Sequence, residues 1–292
     1  MLSLLAQGWR VRALCRRDPK ELLREASTLE VVAGDLADDA ALRQLCDGAD
    51  VVIHTAGLVK ARQTSAFTAV NVEGSRRVAQ AAANVPHTVL VSSLTAREPH
   101  LSPYAASKHA AERVMAESLG SRLTIVRPCA IYGPRDRELL PIFQAADGSP
   151  ILPLLGADAR ITMVHVEDAA GQVVSVAGGL PVGANLSICD AQPQGYSWRE
   201  LMACAASACN RRPRLVPVPD IVVQSLGFVY ELSRLAGASP MLTPAKAREL
   251  LHPDWTVPPD TLAPGPRPVR HTLDTGFKHT VAWYRQAGWM KH

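Results

Sequence analysis

The chain has 292 residues, enough for one large α/β domain and a smaller lobe, and its 47% hydrophobic and 20% charged residues argue against disorder. Its 31 basic and 27 acidic residues give a formal charge of +4 and are scattered, which favours anionic ligands weakly and gives no sign of nucleic-acid binding. No apolar run approaches the roughly 20 residues of a membrane span, and Met1–Leu5 is too short for a signal peptide. Six cysteines without zinc-site spacing then predict a cytoplasmic protein with reduced thiols.

The first half of the chain is predicted to alternate between strands and helices. Residues 1–7, MLSLLAQ, have helical apolar spacing, and Gly8 is a typical residue at the end of a helix. Short β-branched runs predict strands, and the amphipathic or alanine-rich segments between them predict helices. We expect strands at 9–15, 29–33, 49–54, 88–91 and 123–126, and helices at 38–46, from Asn71 and from Tyr104.

The helix at residues 1–7 has no strand before it. A dinucleotide-binding fold begins with a strand and a glycine-rich turn, whose amides and following helix hold the pyrophosphate. Neither G-x-x-G-x-x-G nor G-x-G-x-x-G follows a predicted strand in this sequence. We therefore expect that roughly 15 to 20 residues carrying this strand and turn precede Met1.

The regular alternation lapses between residues 135 and 160, where glycines and prolines mark loops. It resumes in a strand and a helix at 161–177. From residue 191 onward the chain is rich in proline, and helices are predicted at 198–210 and 220–237. The second of these is apolar on most of its surface but contains charged residues, so it is predicted to line a core or pocket and not to span a membrane.

These elements predict an α/β fold class. Residues 1–190 would form a doubly wound, mostly parallel, Rossmann-type sheet, with 135–160 as an excursion towards a second unit. Residues 191–292 would form a small C-terminal substrate lobe. Ligands of open α/β sheets bind at the carboxyl ends of the strands, so we expect the active site there.

The segment SSLTAREPHLSPYAASK places three chemically useful side chains after a predicted strand. Ser93 directly follows the strand. Ser102 is a good N-cap and Pro103 suits the first helical position, so Tyr104 lies in the first turn and Lys108 one turn later. The tyrosine and lysine share a helix face, and the lysine cation and the positive helix N-terminus both favour phenolate. Tyr104 is therefore a candidate proton-transfer group, although Tyr-x-x-x-Lys alone also arises by chance on amphipathic helices.

This set, in its α/β order, resembles the extended branch of the short-chain dehydrogenase/reductase superfamily, the NAD-dependent epimerase/dehydratase family. Residues 127–134, RPCAIYGP, resemble the family's RPxxxYGP loop. The resemblance implies that Ser93 binds the hydroxyl or carbonyl of the substrate and that Tyr104 is the general acid/base. It also implies that Lys108 holds the nicotinamide ribose and lowers the pKa of the tyrosine, while Ser92 is the less favoured catalytic serine.

The resemblance further implies a nicotinamide cofactor. Arg16 follows a strand where an NAD-specific fold has an acidic residue, and arginine suits a 2′-phosphate, so we expect NADP, with NAD still open. An arginine on a solvated turn is the alternative reading. Asp35 could likewise cap the next helix, and Cys129 is expected to pack and not to react. Besides Tyr104 and Lys108, the expected cofactor contacts are Asp35, Leu36, Thr55, Ala56, Gly57, Ser92, Pro128, Cys129 and Ala130.

No metal site is expected from the sequence. His165 and Asp168 lie near a strand-to-helix junction, but no third ligand is apparent, and helix capping explains the placement of Asp168. His54, at the end of a strand, is expected to be a hydrogen-bonded structural residue.

The predicted function is hydride transfer between a nicotinamide and a secondary alcohol or ketone carbon, in an oxidoreductase or an epimerase. A dehydratase would need an additional acid/base pair near Ser93, and Leu94 and Thr95 offer no carboxylate. The small-molecule substrate stays open between an apolar hydroxy or keto compound, favoured by the apolar segment 220–237, and a nucleotide sugar, favoured by arginines such as Arg248. The alternative to an enzyme is a catalytically impaired scaffold, which the absent glycine-rich turn favours. Whether the protein forms a homodimer also stays open.

Overall fold

A computed structural model describes residues 1–16, 28–156, 159–179, 183–225, 243–263 and 269–291. The helices are α1 (Leu2–Leu5), α2 (Asp39–Cys46), α3 (Thr64–Phe67), α4 (Gly74–Ala81), α5 (Pro103–Leu119), α6 (Leu140–Gly148), α7 (Val166–Ala177), α8 (Trp198–Ala208), α9 (Pro244–Leu251) and α10 (Leu273–Gln286). The strands are β1 (Val11–Cys15), β2 (Leu29–Ala33), β3 (Val51–His54), β4 (His87–Val91), β5 (Leu123–Pro128), β6 (Ala130–Tyr132), β7 (Ile151–Leu154), β8 (Arg160–Ile161), β9 (Met163–His165), β10 (Asn185–Ile188), β11 (Tyr196–Ser197), β12 (Arg214–Pro217) and β13 (Asp254–Trp255).

A four-stranded parallel sheet in the order β10–β5–β4–β3 is the centre of the fold. Strands β1 and β2 form a second parallel pair. In the four-stranded sheet the chain leaves β3, β4 and β5 after His54, Val91 and Pro128, all at the same edge because the strands are parallel. Residues that follow these strands can therefore meet, as ligand sites of open α/β sheets require.

Helices cover both faces of this sheet. One core joins β3, β4 and β5 to α2, α4 and α5 through residues such as Leu42, Val78 and Met115. A second core, on the other side, joins the same strands to α7 through Val89, Val126 and Val176. Their side chains are almost completely buried, and the sheet between two helical layers confirms the predicted doubly wound α/β class.

A third core lies in the C-terminal half of the chain. It packs α6, α8 and α10 around Tyr132 and Phe143, both fully buried. The excursion at 135–160 contains α6 and β7, and β7 pairs in parallel with β12, so the excursion joins the later part of the chain. Of the helix predicted at 220–237, residues 220–225 are helical, and the remainder lies outside the described residues.

Three local predictions differ from the structure. The helix expected to open at Asn71 begins at Thr64 and passes through a π-helical stretch, so Asn71 is internal and 2% exposed. Helix α2 is capped by Asp38, whose carboxylate accepts two backbone N–H bonds, and not by Asp35. Helix α7 is capped by the His165 side chain, because the Asp168 carboxylate instead binds a distant backbone segment.

Among the described residues, no helix is both long and apolar enough to cross a lipid bilayer.

Candidate active site

The turn after β4 arranges three hydroxyl-bearing side chains. Ser92 is buried, while Ser93 begins a short 3₁₀ helix and accepts a hydrogen bond from the backbone N–H of Thr95 at 3.2 Å. The Thr95 hydroxyl also donates to the Ser93 hydroxyl oxygen at 2.9 Å. Two donors on one oxygen orient the Ser93 hydroxyl and direct its own proton elsewhere. Sequence reasoning treated Thr95 only as a residue without a carboxylate.

Helix α5 brings Tyr104 to this turn. As predicted, Ser102 is the N-cap, accepting from the Ala105 N–H at 3.0 Å, and Pro103 is the first helical residue. The Tyr104 side chain is partly buried and lies close enough to the Ser93 side chain for Ser93 to lower the pKa of the phenol. That Ser93 and Tyr104 act on the same substrate oxygen stays a prediction.

The electrostatics of Tyr104 differ from the expectation of a lowered pKa. Burial raises the pKa of the phenol above its usual value, the nearby Ser93 side chain lowers it in part, and the negative charges of Glu249 and Glu138 raise it further. Lys108 is not among the groups that shift it. Tyr104 is therefore a protonated phenol at neutral pH, which suits it to donate a proton.

Lys108 lies one turn further along α5 and is 7% exposed. Its ammonium donates to the Val91 carbonyl at the end of β4, at 2.9 Å. Burial lowers the pKa of Lys108 to about 8, and the nearby Glu112 partly opposes this. The carboxylate of Glu112 is itself held by a two-pronged ion pair with Arg127, at 2.9 and 2.6 Å.

Buried Asn71 connects α5 to the loop after β3, a role that sequence reasoning missed. Its amide donates to the Ser107 hydroxyl at 2.9 Å and to the Leu58 carbonyl at 3.0 Å. Its side-chain oxygen accepts from the Leu58 N–H at 2.7 Å. A Cβ atom on Gly57 would lie 3.1 Å from this oxygen and 3.9 Å from the Lys108 ammonium, so the loop approaches the lysine closely.

Glu249, on α9, also reaches the site and was not singled out in the sequence. This buried carboxylate accepts from the Ser102 hydroxyl and from the Lys246 ammonium. On the same helix, the Arg248 guanidinium donates to the Leu101 carbonyl at 3.1 Å. The C-terminal part of the chain thus contacts the start of α5, next to Tyr104.

The residues expected to bind a cofactor lie at the carboxyl ends of two sheets. Arg16 and Asp35 are exposed after β1 and β2, and Leu36 packs against Gly74 of α4. Thr55, Ala56 and Gly57 are exposed after β3, Ser92 follows β4, and Pro128, Cys129 and Ala130 end β5 and begin β6. Burial raises the pKa of the Cys129 thiol, which agrees with packing and not with reactivity.

These residues fit the nicotinamide–ribose half of a dinucleotide. Among the described residues, the buried Ser92 Oγ has no hydrogen-bond partner, and the carbonyl of the preceding residue, Val91, accepts a hydrogen bond from the buried Lys108 ammonium. Such an orphaned hydroxyl requires a partner from outside the chain or from water. For the diphosphate half, the described residues provide no glycine-rich turn after a strand.

Comparison with known proteins decides the family. The model of the NAD dependent epimerase/dehydratase family matches residues 1–179, well over half of the chain. The chain belongs to this family. Membership makes the protein an NAD-dependent enzyme of the oxidoreductase/epimerase class and confirms the predicted resemblance.

Known proteins resemble this chain along most of its length. Ceramide reductase of Caulobacter vibrioides is 45% identical over 290 residues, covering 99% of this chain and 90% of its own. The 2-alkyl-3-oxoalkanoate reductase of Shewanella oneidensis is 26% identical over 85% of this chain and 73% of its own. The crystal structure of UDP-glucuronic acid 4-epimerase from Bacillus cereus, in complex with UDP-glucuronic acid and NAD, has a TM-score of 0.69 at 15% identity over 98% and 94% of the chains, which shows the shared fold alone.

Proposed function

We propose that the protein is an NAD(P)H-dependent reductase that converts the ketone of a long-chain, lipid-like substrate to a secondary alcohol. The observation that carries the proposal is the placement of Tyr104, in the first turn of α5, next to Ser93 after β4, with burial keeping the phenol protonated. Reduction of a carbonyl needs a proton donor of this kind at the oxygen. Similarity to ceramide reductase over nearly the whole chain supports the substrate class.

In this mechanism a nicotinamide supplies the hydride to the carbonyl carbon when it is bound. Ser93 donates a hydrogen bond to the carbonyl oxygen and so stabilises the negative charge that develops there. Tyr104 gives its proton to the same oxygen, which completes the alcohol. Ketone, reduced nicotinamide and one proton thus yield alcohol and oxidised nicotinamide.

Lys108 and Ser92 would bind the cofactor in this proposal. The buried ammonium of Lys108 suits ribose hydroxyls. Ser92 Oγ supplies a further polar contact. Arg16, exposed after β1, is the candidate for the 2′-phosphate that distinguishes NADP from NAD.

The site favours reduction over dehydration. Leu94 is buried and Thr95 is engaged with Ser93, so neither position offers the second acid/base group that a dehydratase would need. Arg248, which the sequence suggested for a diphosphate, donates to the Leu101 carbonyl instead. That contact weakens the argument for a nucleotide-sugar substrate. We further propose a cytoplasmic location, on composition alone.

A paired substrate screen tests the proposal. The purified protein is given NADPH or NADH together with the ketone form of a ceramide, a 2-alkyl-3-oxoalkanoate, or UDP-sugars, and cofactor absorbance is followed. We expect oxidation of the cofactor with the lipid ketones and none with the sugars. Epimerisation of a UDP-sugar, detected by chromatography without net cofactor consumption, would replace reductase by epimerase. Inactivity in every arm, with a folded protein, would favour the scaffold reading.

A further inference from the structure

Four side chains with metal-binding chemistry meet where α7 begins. His165 ends β9, Glu167 lies in the first turn of α7, His271 lies just before α10, and His279 lies on α10. One candidate ligand atom from each lies within 4.8 Å of the other three. The sequence offered only His165 and Asp168 here, because His271 and His279 are 104 and 114 residues from their partners in the cluster.

The backbone around the cluster is held by a buried carboxylate. Asp168, 1% exposed, accepts hydrogen bonds from the N–H groups of Arg270 and His271, both at 3.0 Å. These bonds fix the segment before α10 against the first turn of α7. The His165 ring is fully buried and packs edge-on against the Tyr132 ring, with centroids 5.4 Å apart. The donor atoms are therefore presented by a supported framework.

Two of the distances between donor atoms match the edge of a tetrahedral zinc site, and all four donor atoms lie within 4.8 Å of one another. His165 Nε2 lies 3.2 Å from His279 Nδ1, and His271 Nε2 lies 3.1 Å from a Glu167 carboxylate oxygen. Zinc–nitrogen bonds of about 2.0–2.1 Å place neighbouring ligands of a tetrahedron roughly 3.3 Å apart. Imidazole and carboxylate are also ligands that zinc prefers. We propose that His165, Glu167, His271 and His279 bind a divalent transition-metal ion, with zinc as the best match.

The protonation of His165 sets a condition on the site. Its Nδ1 accepts from the Glu167 N–H at 3.3 Å, a long hydrogen bond. Binding a metal through Nε2 moves the ring proton to Nδ1, so this weak contact is given up. His271 needs the same change, because its Nε2 donates to the Glu167 carboxylate oxygen and must give up that proton before it can bind a metal.

Four protein ligands leave no open position for a substrate, so the metal would be structural. It would link the start of α7, which lines the central sheet, to α10, which packs in the C-terminal core. Metal binding would therefore stabilise the attachment of α10 without taking part in hydride transfer.

Metal content and thermal stability test this proposal. The protein is stripped with a chelator, dialysed against zinc, freed of excess ion and assayed by mass spectrometry for metal. We expect one tightly held zinc ion per chain, a higher melting temperature than the stripped form, and the visible spectrum of tetrahedral Co²⁺ when cobalt is substituted. If only hydrogen bonds join the four side chains, the protein will show no bound zinc, no rise in melting temperature and no tetrahedral Co²⁺ spectrum. That result would overturn the proposal.

Variants locate the ion. The double variant His271→Ala/His279→Ala should lose zinc, because it removes two ligands. Its Kd for zinc should rise by more than the about 10- to 100-fold that follows loss of a residue that only supports a ligand. His100→Ala is the control, because this exposed side chain lies outside the cluster and should keep full zinc. If circular dichroism shows that the double variant does not fold, Glu167→Gln is measured in its place. The Glu167 side chain is 52% exposed, so this substitution should leave the fold intact. Unchanged zinc affinity in Glu167→Gln would contradict the assigned ligands.

Discussion

Tyr104 has a raised pKa because it is largely buried and lies near Glu249. If it donates the proton in carbonyl reduction, Tyr104→Phe should lower kcat by about 10² or more, since general acid catalysis contributes about 10²- to 10⁴-fold. Steady-state kinetics and circular dichroism of the variant measure this. Tyr196→Phe, which removes a hydroxyl bound to Asp190, is the matched control and should keep kcat within a few-fold. Equal kcat values for the two variants would remove Tyr104 from the reaction.

Lys108 should set the alkaline limit of the reaction. Its pKa is lowered to about 8 by burial, so the ammonium is present below this pH and is lost above it. Tyr104, with its raised pKa, stays protonated through the same range. We expect kcat/KM for reduction to be flat below about pH 8 and to fall as the pH rises further.

The variant Lys108→Arg tests whether Lys108 causes the fall in kcat/KM at high pH. A guanidinium does not lose its proton in this range, so residual activity of the variant should persist to higher pH than in the parent. A pH–rate profile of each protein is the measurement. An alkaline limb at the same pH in both proteins would mean that another group controls it.

Arg16 is predicted to select the cofactor. A guanidinium can bind a 2′-phosphate through paired hydrogen bonds, which an alanine cannot do. Arg16→Ala should therefore raise the Kd of NADPH at least about 10-fold and change that of NADH much less, as measured by fluorescence titration. If Arg16 is only a solvated side chain, the ratio of the Kd of NADPH to that of NADH will be the same in Arg16→Ala as in the parent.

At the scale of elements, the packing of α10 depends on a glycine. A Cβ atom on Gly276 would lie 2.8 Å from two carbons of the buried Tyr132 ring. Gly276→Ala should therefore destabilise the protein, because overpacking costs about 1–3 kcal/mol and exceeds the gain of about 1 kcal/mol from helix propensity. Chemical denaturation measures the free energy of unfolding.

Gly148→Ala is the control for that substitution. Gly148 ends α6 with ordinary backbone angles, and no atom lies within 4 Å of an added Cβ. It should show no loss of stability. If both variants unfold at the same denaturant concentration as the parent, α10 does not pack on Tyr132 as described.

Local signals allowed the sequence to predict most elements of the nucleotide-binding half. The cap at Ser102 followed by Pro103 gave the start of α5 correctly, because capping depends on adjacent residues. The helix around Asn71 was placed too late, since its first turns have no capping side chain and include a π-helical stretch. Pairing of β7 with β12 could not be predicted, because it joins residues about sixty apart.

In the whole molecule, the parts of the site that are close in sequence could be predicted, and those brought together from distant segments could not. Ser93, Tyr104 and Lys108 lie within one turn and one helix, so their proximity could be inferred from spacing. Asn71 and Glu249 reach α5 from 36 and 147 residues away. The raised pKa of Tyr104 was likewise not predictable, because it arises from burial in the folded chain and from the charge of Glu249, which is distant in sequence.

The proposed reaction transfers hydride from a nicotinamide to the ketone carbon of a lipid-like substrate. The most direct measurement uses reduced cofactor with deuterium at both C4 positions of the nicotinamide, the ketone form of a ceramide as substrate, and mass spectrometry of the product. We predict one deuterium on the carbinol carbon, formed by the parent enzyme and lost together with activity in Tyr104→Phe. An unlabelled alcohol, or cofactor that remains fully reduced while the protein is folded, would contradict the account.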